Sequence, residues 1–274
     1  MKDFYPEIVN LYKQNFSCEQ IAKKYNCSHE NIRYILKKEK VFIPKFIKSK
    51  INLDFLLGDS EVKSYFLGLL FSDGHIDYLT NTVVIKLKST DAFLLKHLSC
   101  FIGEHISVNI GESRRSWVMK NNEKVFFTSS PTATLKFNSK EFVNYLSSLG
   151  LSKNKTTTLI VPSVLEHDVH FWRGMIDGDG CIYFKGNTVQ LTLIGTEEVC
   201  KQFKQFCLSH CGNIKSSIRK SGIVYTITIC STKAVKILDA LYSESTICLS
   251  RKQKIYLSIK EEYQPNIKYL EVID

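Results

Sequence analysis

No apolar run in this 274-residue sequence approaches the length of a membrane span, and Met1, Lys2, Asp3 and Phe4 open no signal-peptide core. Neither a transmembrane helix, nor a secretion signal, nor a membrane partner is therefore expected. The nine cysteines include no CxxC pair. An odd, scattered set without a secretion signal reads as reduced thiols in an intracellular protein, not as a disulfide framework. Cys207, His210 and Cys211 lie close together, but no second ligand pair at finger spacing follows. Buried thiols are expected there, not zinc. The composition is not extreme either. With 44% hydrophobic and 23% charged residues, it is globular and neither disordered nor fibrous. The length suits two domains, or one large domain with an appendage.

Charge is what the sequence has in excess. It holds 37 Lys and Arg against 27 Asp and Glu, a net charge of +10. An anionic partner follows, with nucleic acid first. The excess is uneven. Residues 1–50 hold 11 basic and 5 acidic residues, a net of +6, while residues 51–155 and 156–274 each carry +2. A positive charge concentrated in one short segment points to phosphate contact.

That segment has the pattern of three short helices. Ile8, Val9, Leu11 and Tyr12 are helically spaced. Ser17 and Gln20 form a capping box before Ile21, Ala22 and Tyr25, and Asn26-Cys27 makes a turn. Ser28 can cap a third helix with Ile32, Ile35 and Leu36 inward and a basic polar face outward. A helix-turn-helix domain is expected over 1–45, with His29, Asn31 and Arg33 on the recognition helix. Val41 to Lys50, with Pro44, reads as linker, and the linker is placed at 46–60.

The rest of the chain repeats itself. Tyr65-Phe-Leu-Gly-Leu-Leu-Phe-Ser-Asp-Gly-His-Ile76 matches Phe171-Trp-Arg-Gly-Met-Ile-Asp-Gly-Asp-Gly-Cys-Ile182, and Gly68 and Gly174 stand 106 residues apart, as do Asp73 and Asp179. A hairpin, a helix, more strand and another helix follow each copy. The fold class expected is α+β, built of two pseudo-symmetric αββαββα repeats at 61–156 and 157–274 behind the helical domain. Each repeated stretch is apolar nearly all round, so it must be buried. Each has small residues four apart, Gly68/Ser72 and Gly174/Gly178, which let two backbones approach. The two helices are expected to pack together, with Gly74 and Gly180 left-handed past their ends. Asp73 and Asp179 then meet at the negative ends of two helix dipoles and need a cation or a shared proton. A hard divalent ion such as Mg²⁺ suits that site. One Asp-Gly alone would be read as a turn; two in register favour a metal.

These residues resemble the LAGLIDADG homing endonucleases in their single-chain, two-motif form. The motif copies are Phe66 to Gly74 (FLGLLFSDG) and Trp172 to Gly180 (WRGMIDGDG). The resemblance covers roughly residues 51–274. It implies a DNA-binding saddle of antiparallel sheets astride the motif helices. It implies metal at Asp73 and Asp179, with backbone carbonyls lent by Ser72 and Gly178, and Mg²⁺ as the ion (Mn²⁺ as the alternative). It implies basic residues near the scissile phosphates, matched by Lys153 and Lys252, with Lys155 and Lys254 as rivals. The polar positions at Asp91 and Glu197 would orient water. Phe71 stands where the second copy has Asp177, and Ser72 where the family name has Ala; neither is the metal-binding acid. The termini lack the residues needed for protein splicing, so an intein is not expected.

Strand alternation supports a wet, basic sheet face. Lys86 and Lys88 oppose Ile85 and Leu87, and Lys136 opposes Leu135 and Phe137. In the second copy Gln190 and Thr192 oppose Leu191 and Leu193, Lys215 and Arg219 share a face, and Lys185 lies in the hairpin. Arg114 and Arg115, with Lys120 and Lys124, fall in a long polar stretch that reaches phosphates beyond the sheet. The expectation is a monomeric, site-specific endonuclease on double-stranded DNA, making a double-strand break by divalent-metal-dependent hydrolysis. A non-cleaving DNA-binding regulator and an RNA-binding intron maturase are the alternatives.

Overall fold

The computed structural model describes residues 4–14, 16–41, 49–113, 115–120 and 123–264. The chain divides into two compact units, Met1–Lys48 and Ser49–Asp274.

The first unit holds α1 (Tyr5–Lys13), α2 (Cys18–Lys24) and α3 (His29–Lys38). The Ser17 capping box forms: Ser17 Oγ accepts from the Gln20 N–H at 3.2 Å, and Gln20 Oε1 accepts from the Ser17 N–H at 2.8 Å. Ser28 Oγ caps α3 by accepting from the Asn31 N–H at 3.2 Å. Asn26 makes the turn between α2 and α3 at φ 47°, a left-handed value that asparagine tolerates. Ile8, Ile21, Ala22, Ile32, Ile35 and Leu36 form the core. Arg33 is exposed on α3, and His29 and Asn31 are half-buried.

The second unit begins with β1 (Lys50–Ile51), α4 (Asp54–Leu57) and α5 (Glu61–Ser72). Then follow β2 (Gly74–Asp77), β3 (Thr82–Lys88), α6 (Ala92–Ile102), β4 (Gly103–Glu104), β5 (Val108–Gly111), β6 (Arg115–Lys120), β7 (Glu123–Thr128), β8 (Thr132–Asn138), α7 (Lys140–Ser148) and α8 (Lys155–Thr158). The second copy runs α9 (Val169–Asp179), β9 (Gly180–Lys185), β10 (Thr188–Gly195), α10 (Glu197–Cys211), β11 (Ile218–Ser221), β12 (Val224–Cys230), α11 (Ser231–Tyr242) and α12 (Ser250–Glu262).

Two four-stranded antiparallel sheets result, in the orders β2-β3-β8-β5 and β9-β10-β12-β11. Each strand of one four-stranded sheet has its counterpart at the same place in the other. The duplicated α+β plan is therefore present in space as well as in sequence. Along β3, Val83, Ile85 and Leu87 are buried while Lys86 and Lys88 are exposed. The sheets thus put one apolar face on a shared core and leave the other wet. No helix among the described residues is long and apolar enough to cross a membrane.

Three expectations need correction. Residues 50–57, placed in a linker, belong to the second unit: Lys50 and Ile51 pair with Glu104 and Gly103, and Phe55 and Leu56 are buried in the main core. Two large apolar side chains there gain more from burial than from a solvated tether. Of the remainder, residues 42–48, including Pro44, lie outside the described residues. The stretch containing Arg115, Lys120 and Lys124, expected to be polar, is the hairpin β6–β7, half of whose strand residues are apolar, paired from Arg115↔Thr128 to Lys120↔Glu123. Arg114 lies outside the described residues. Finally, neither Gly74 nor Gly180 is left-handed. A Cβ on Gly74 would lie 2.5 Å from Leu70 O, and one on Gly180 2.5 Å from Ile176 O. Both glycines are needed for close approach to the helix they follow, not for φ.

One buried ion pair ties the start of α5 to the middle of α9. Arg173, 1% exposed, donates to Glu61, to Ile247 O at 2.9 Å and to Leu241 O at 2.9 Å. Burial raises the Glu61 carboxyl, but the Thr246 hydroxyl and N–H, the Arg173 guanidinium and the Ile247 N–H outweigh it and hold the group below its usual value. A depressed carboxyl contributes stability that is present above its unfolded pKa and lost as pH falls through its folded one. Glu61→Gln should therefore cost most near neutral pH. In urea melts across pH, the gap from wild type should close as pH falls below about 4; a constant gap would contradict it.

Candidate active site

The site begins with two glycines. Gly68 of α5 and Gly174 of α9 face each other so closely that a Cβ on either would sit 2.9 Å from the other's Cα. The contact is symmetric to the residue. A Cβ at Gly68 would strike Phe171 O, and one at Gly174 would strike Tyr65 O, each carbonyl three residues before the partner glycine. A glycine inside a helix costs about 1 kcal/mol against alanine, and backbone-to-backbone packing offsets it. One turn further on, a Cβ at Gly178 would lie 2.5 Å from Ser72 Cβ and 3.3 Å from Asp73 Oδ2. Ser72 thus fills the space that its pseudo-symmetric partner leaves open.

Because the helices cross so tightly, their C-termini arrive together, and with them Asp73 and Asp179. Both carboxylates keep an open face to solvent, with protein around the rest of each group. Burial pushes Asp179 up to about 6, and the neighbouring Asp73 carboxylate pushes the same way against Lys155 and Lys252. Asp73 is raised as well, by burial, with Lys155, Lys252 and Arg251 opposing. Burial is the larger cause for both, and for Asp179 the neighbouring carboxylate adds to it.

Two lysines complete the centre. Lys155 Nζ donates to Leu70 O at 3.1 Å, to Phe71 O at 3.2 Å and to Ser72 O. Lys252 Nζ donates to Asp177 O at 2.9 Å, to Gly180 O at 2.6 Å and to Ile176 O. Each ammonium therefore caps the carbonyl end of one motif helix, where an α-helix leaves acceptors unsatisfied. Burial lowers both lysines to about 8, although Asp179 and Asp73 hold Lys155 up and Asp177 holds Lys252 up.

Of the residues expected at this centre, the structure brings together Asp73, Asp179, Ser72, Gly178 and Lys252. It does not bring Lys153, which is exposed; Lys155, its rival, stands there instead. The two lie two residues apart, Lys153 in the turn before α8 and Lys155 at its start, and sequence alone did not show which of them points inward. Lys155→Met should destabilise by about 2 kcal/mol, since it leaves three helix-end carbonyls without their donor. Lys153→Met should stay within about 0.5 kcal/mol of wild type. Equal urea midpoints for the two variants would refute the assignment. The water-orienting expectation is not supported. Asp91 is engaged by Arg251 at 3.2 Å, and Glu197 by Lys201 at 3.1 Å on the surface.

Sequence reasoning missed one buried polar cluster. Asp177 is fully buried, 0% exposed, and its carboxylate accepts from Tyr65 OH at 2.7 Å, Tyr242 OH at 2.7 Å and the Leu249 N–H at 2.6 Å. Burial raises it despite these donors. It fastens α5, α9 and α11 to the start of α12, the helix that carries Lys252. In the first copy its place is taken by Phe71, packed edge-on against Phe171 at 5.3 Å between ring centroids. One half of the centre is held by hydrogen bonds and the other by apolar packing.

The wet sheet faces flank this centre. Cross-strand partners share a face, and the register joins Lys86 to Thr134, Lys136 to Val84, Lys88 to Thr132, and Asn109 to Thr134. In the second sheet it joins Gln190 to Tyr183, Thr192 to Thr228, Lys185 to Thr188 and Arg219 to Thr226. Gln190, Lys215, Ser217 and Arg219 line one polar basin of about 430 Å³. Lys215 reaches it from the segment before β11, not from a strand. Cys207 and Cys211 are buried, with burial raising both thiols, and no cluster of three or more His, Cys, Asp or Glu suited to a metal occurs among the described residues.

No protein-family model matches this chain, and no curated protein does. Solved structures do. The homing endonuclease I-WcaI, bound to its DNA recognition sequence, is 16% identical over 74% of this chain and 90% of its own, with a TM-score of 0.49. The N-terminal LAGLIDADG domain of DUF199/WhiA is 18% identical over 71% and 86%, with a TM-score of 0.41. I-DmoI, in complex with DNA and Ca, is 15% identical over 71% and 95%, with a TM-score of 0.41. At these values the likeness carries nothing beyond itself. What the chain does has to be read from its own residues.

Proposed function

We propose that this chain is a site-specific endonuclease that cuts both strands of duplex DNA by divalent-metal-assisted phosphodiester hydrolysis. The observation that carries the proposal is the meeting of Asp73 and Asp179 at adjoining helix ends, each with a lysine behind it. The donor set is all oxygen and open on one side, which suits a hard cation such as Mg²⁺. Asp73 and Asp179 would hold it, with the Gly178 carbonyl as a further donor. The Ser72 carbonyl already accepts from Lys155. A divalent ion bound there would supply Lewis acidity and a more acidic bound water.

The remaining steps belong to the chain. Asp73 and Asp179 orient water through their open faces, one toward each DNA strand. Lys155 and Lys252 hold the helix ends rigid and place positive charge beside the reacting phosphates, stabilising the charge that develops there. Lys86, Lys88 and Lys136 on one sheet, and Lys185, Gln190, Thr192, Lys215 and Arg219 on the other, contact the groove and backbone. In the first unit, α3 with its His29, Asn31 and Arg33 forms a separate DNA anchor that raises the effective concentration of the cutting unit.

The test is to incubate the protein with a randomised duplex library and Mg²⁺, and to sequence the new ends. A defined site with paired breaks is expected. Selective binding without breaks would sink the enzyme and leave a regulator; selective retention of structured RNA would point to a maturase. Deleting residues 1–48 should weaken binding and flatten its salt dependence, because fewer phosphate contacts release fewer counterions. An unchanged salt slope would reduce the first unit to a helical cap.

A further inference from the structure

The first copy carries something the second lacks. Where β11 and β12 are joined by a tight turn at Gly222, φ 62°, the corresponding strands β5 and β8 are separated by the hairpin β6–β7. Among the described residues this ribbon pairs only with itself. Its strands, six residues each, are roughly 20 Å long. The duplicated plan is complete without it, so the fold does not require it.

All twelve residues of the two strands are exposed, yet half of them are apolar. The register puts Arg115, Trp117 and Met119 on one face with Thr128, Phe126 and Lys124 opposite them. Trp117 is 49% exposed and Phe126 is 55% exposed. They lie directly across from each other, and a cation lies over each half-exposed ring: Arg115 stands 4.9 Å from the Phe126 ring centre, and Lys124 4.7 Å from that of Trp117. A lone two-stranded ribbon does not leave such groups in water without reason.

We infer that this face is a stacking platform for unpaired DNA bases. The pattern matches a π-faced, phosphate-bearing ligand on both counts. Rings offer a surface to the base, and the cations beside them meet the phosphate that follows it. The strands hold Arg115, Lys120 and Lys124 against the single acid Glu123, so the charge complements an anion. Reading the edges of paired bases needs planar polar side chains. Here the centre of the face is Trp, Phe and Met, which can engage a base only where it is out of its stack. This role is independent of the metal centre, since none of these residues belongs to it.

The two tryptophans make the test specific. Trp172 is 0% exposed in the core, so an added base can reach only Trp117. The full chain, without metal, is titrated with single-stranded oligo(dT), its duplex with oligo(dA), single-stranded oligo(rU), and phosphatidylglycerol vesicles, while tryptophan emission is followed. Single-stranded oligo(dT) should quench emission, and the duplex should bind without equal quenching. Trp117→Phe should abolish the quenching, and Phe126→Ala should weaken binding roughly 10-fold. Equal quenching by the duplex would mean groove contact and overturn the platform. Quenching only by oligo(rU) would overturn the assignment to DNA. A blue shift with vesicles alone would make the ribbon a membrane-surface element, and no response to any probe would overturn it outright. Retained duplex cutting alongside any of these failures would leave the endonuclease reading standing.

Discussion

Gly68→Val should unfold the second unit or bring it close to unfolding. The substitution puts a branched side chain where a single Cβ would already lie 2.9 Å from Gly174 Cα and 2.9 Å from Met175 N. Those atoms are backbone of a buried helix and cannot swing aside, so α5 and α9 must separate. Separation opens the interface between two largely buried helices, including Tyr65 against Asp177 and Phe71 against Phe171. Overpacking commonly costs 1–3 kcal/mol, and here the absence of any yielding side chain should take the loss to about 3 kcal/mol or more. Gly174→Val should cost as much, because the contact is symmetric. Gly150→Val is a useful contrast: nothing lies within 4 Å of its Cβ, and its penalty comes only from φ 80°. Urea melts of the three variants check this. Unchanged midpoints for Gly68→Val and Gly174→Val would dispose of the helix crossing, and with it the reason the two acids meet.

Asp73→Asn and Asp179→Asn should each abolish double-strand cleavage and leave DNA binding within about threefold. The amide keeps the shape of the carboxylate and removes its charge. Hard cations bind charged oxygen donors far better than amides, so metal affinity should fall with the charge. Loss of the group that holds the reacting centre should cost at least a few hundred-fold in rate. Folding should not suffer. Both carboxyls are raised above their ordinary values, so each carboxylate is less favourable in the fold than in the unfolded chain. The sign follows: a raised acid destabilises once pH exceeds its unfolded pKa, and neutralising it relieves that. Both variants should therefore melt at or above the wild-type urea midpoint at pH 7. A variant that cuts both strands at the wild-type rate, or one that unfolds, would refute this account. If one substitution leaves a nicking enzyme, each acid serves one strand.

Much of this was legible in the sequence because it is local. The capping box at Ser17, the burial of Ile32, Ile35 and Leu36, and the alternation along β3 all follow from spacing within a few residues. The 106-residue repeat and the small residues four apart were enough to bring two helices together and two acids to their ends. Other features depend on partners far along the chain. Lys155 displaces Lys153 because a short turn of helix aims one side chain, and not its neighbour, at carbonyls 83 to 85 residues away. Asp177 looks like a motif letter in sequence; in space it gathers Tyr65, Tyr242 and the Leu249 N–H from three other places. The hairpin β6–β7 fell in a stretch read as polar from its basic residues, although Trp117 to Met119 and Val125 to Phe127 are apolar runs on strands that cover nothing.

The sequence by itself determined the duplication, the buried motif helices and the two acids that end them. Periodicity and small-residue spacing act within a turn or two of helix, where the chain's own geometry leaves little choice. The tertiary structure alone decided which lysine closes each helix end, what a buried aspartate is for, and where the chain leaves aromatic rings in water. Those outcomes depend on which distant groups share a dry or a wet space, and no local pattern carries that information.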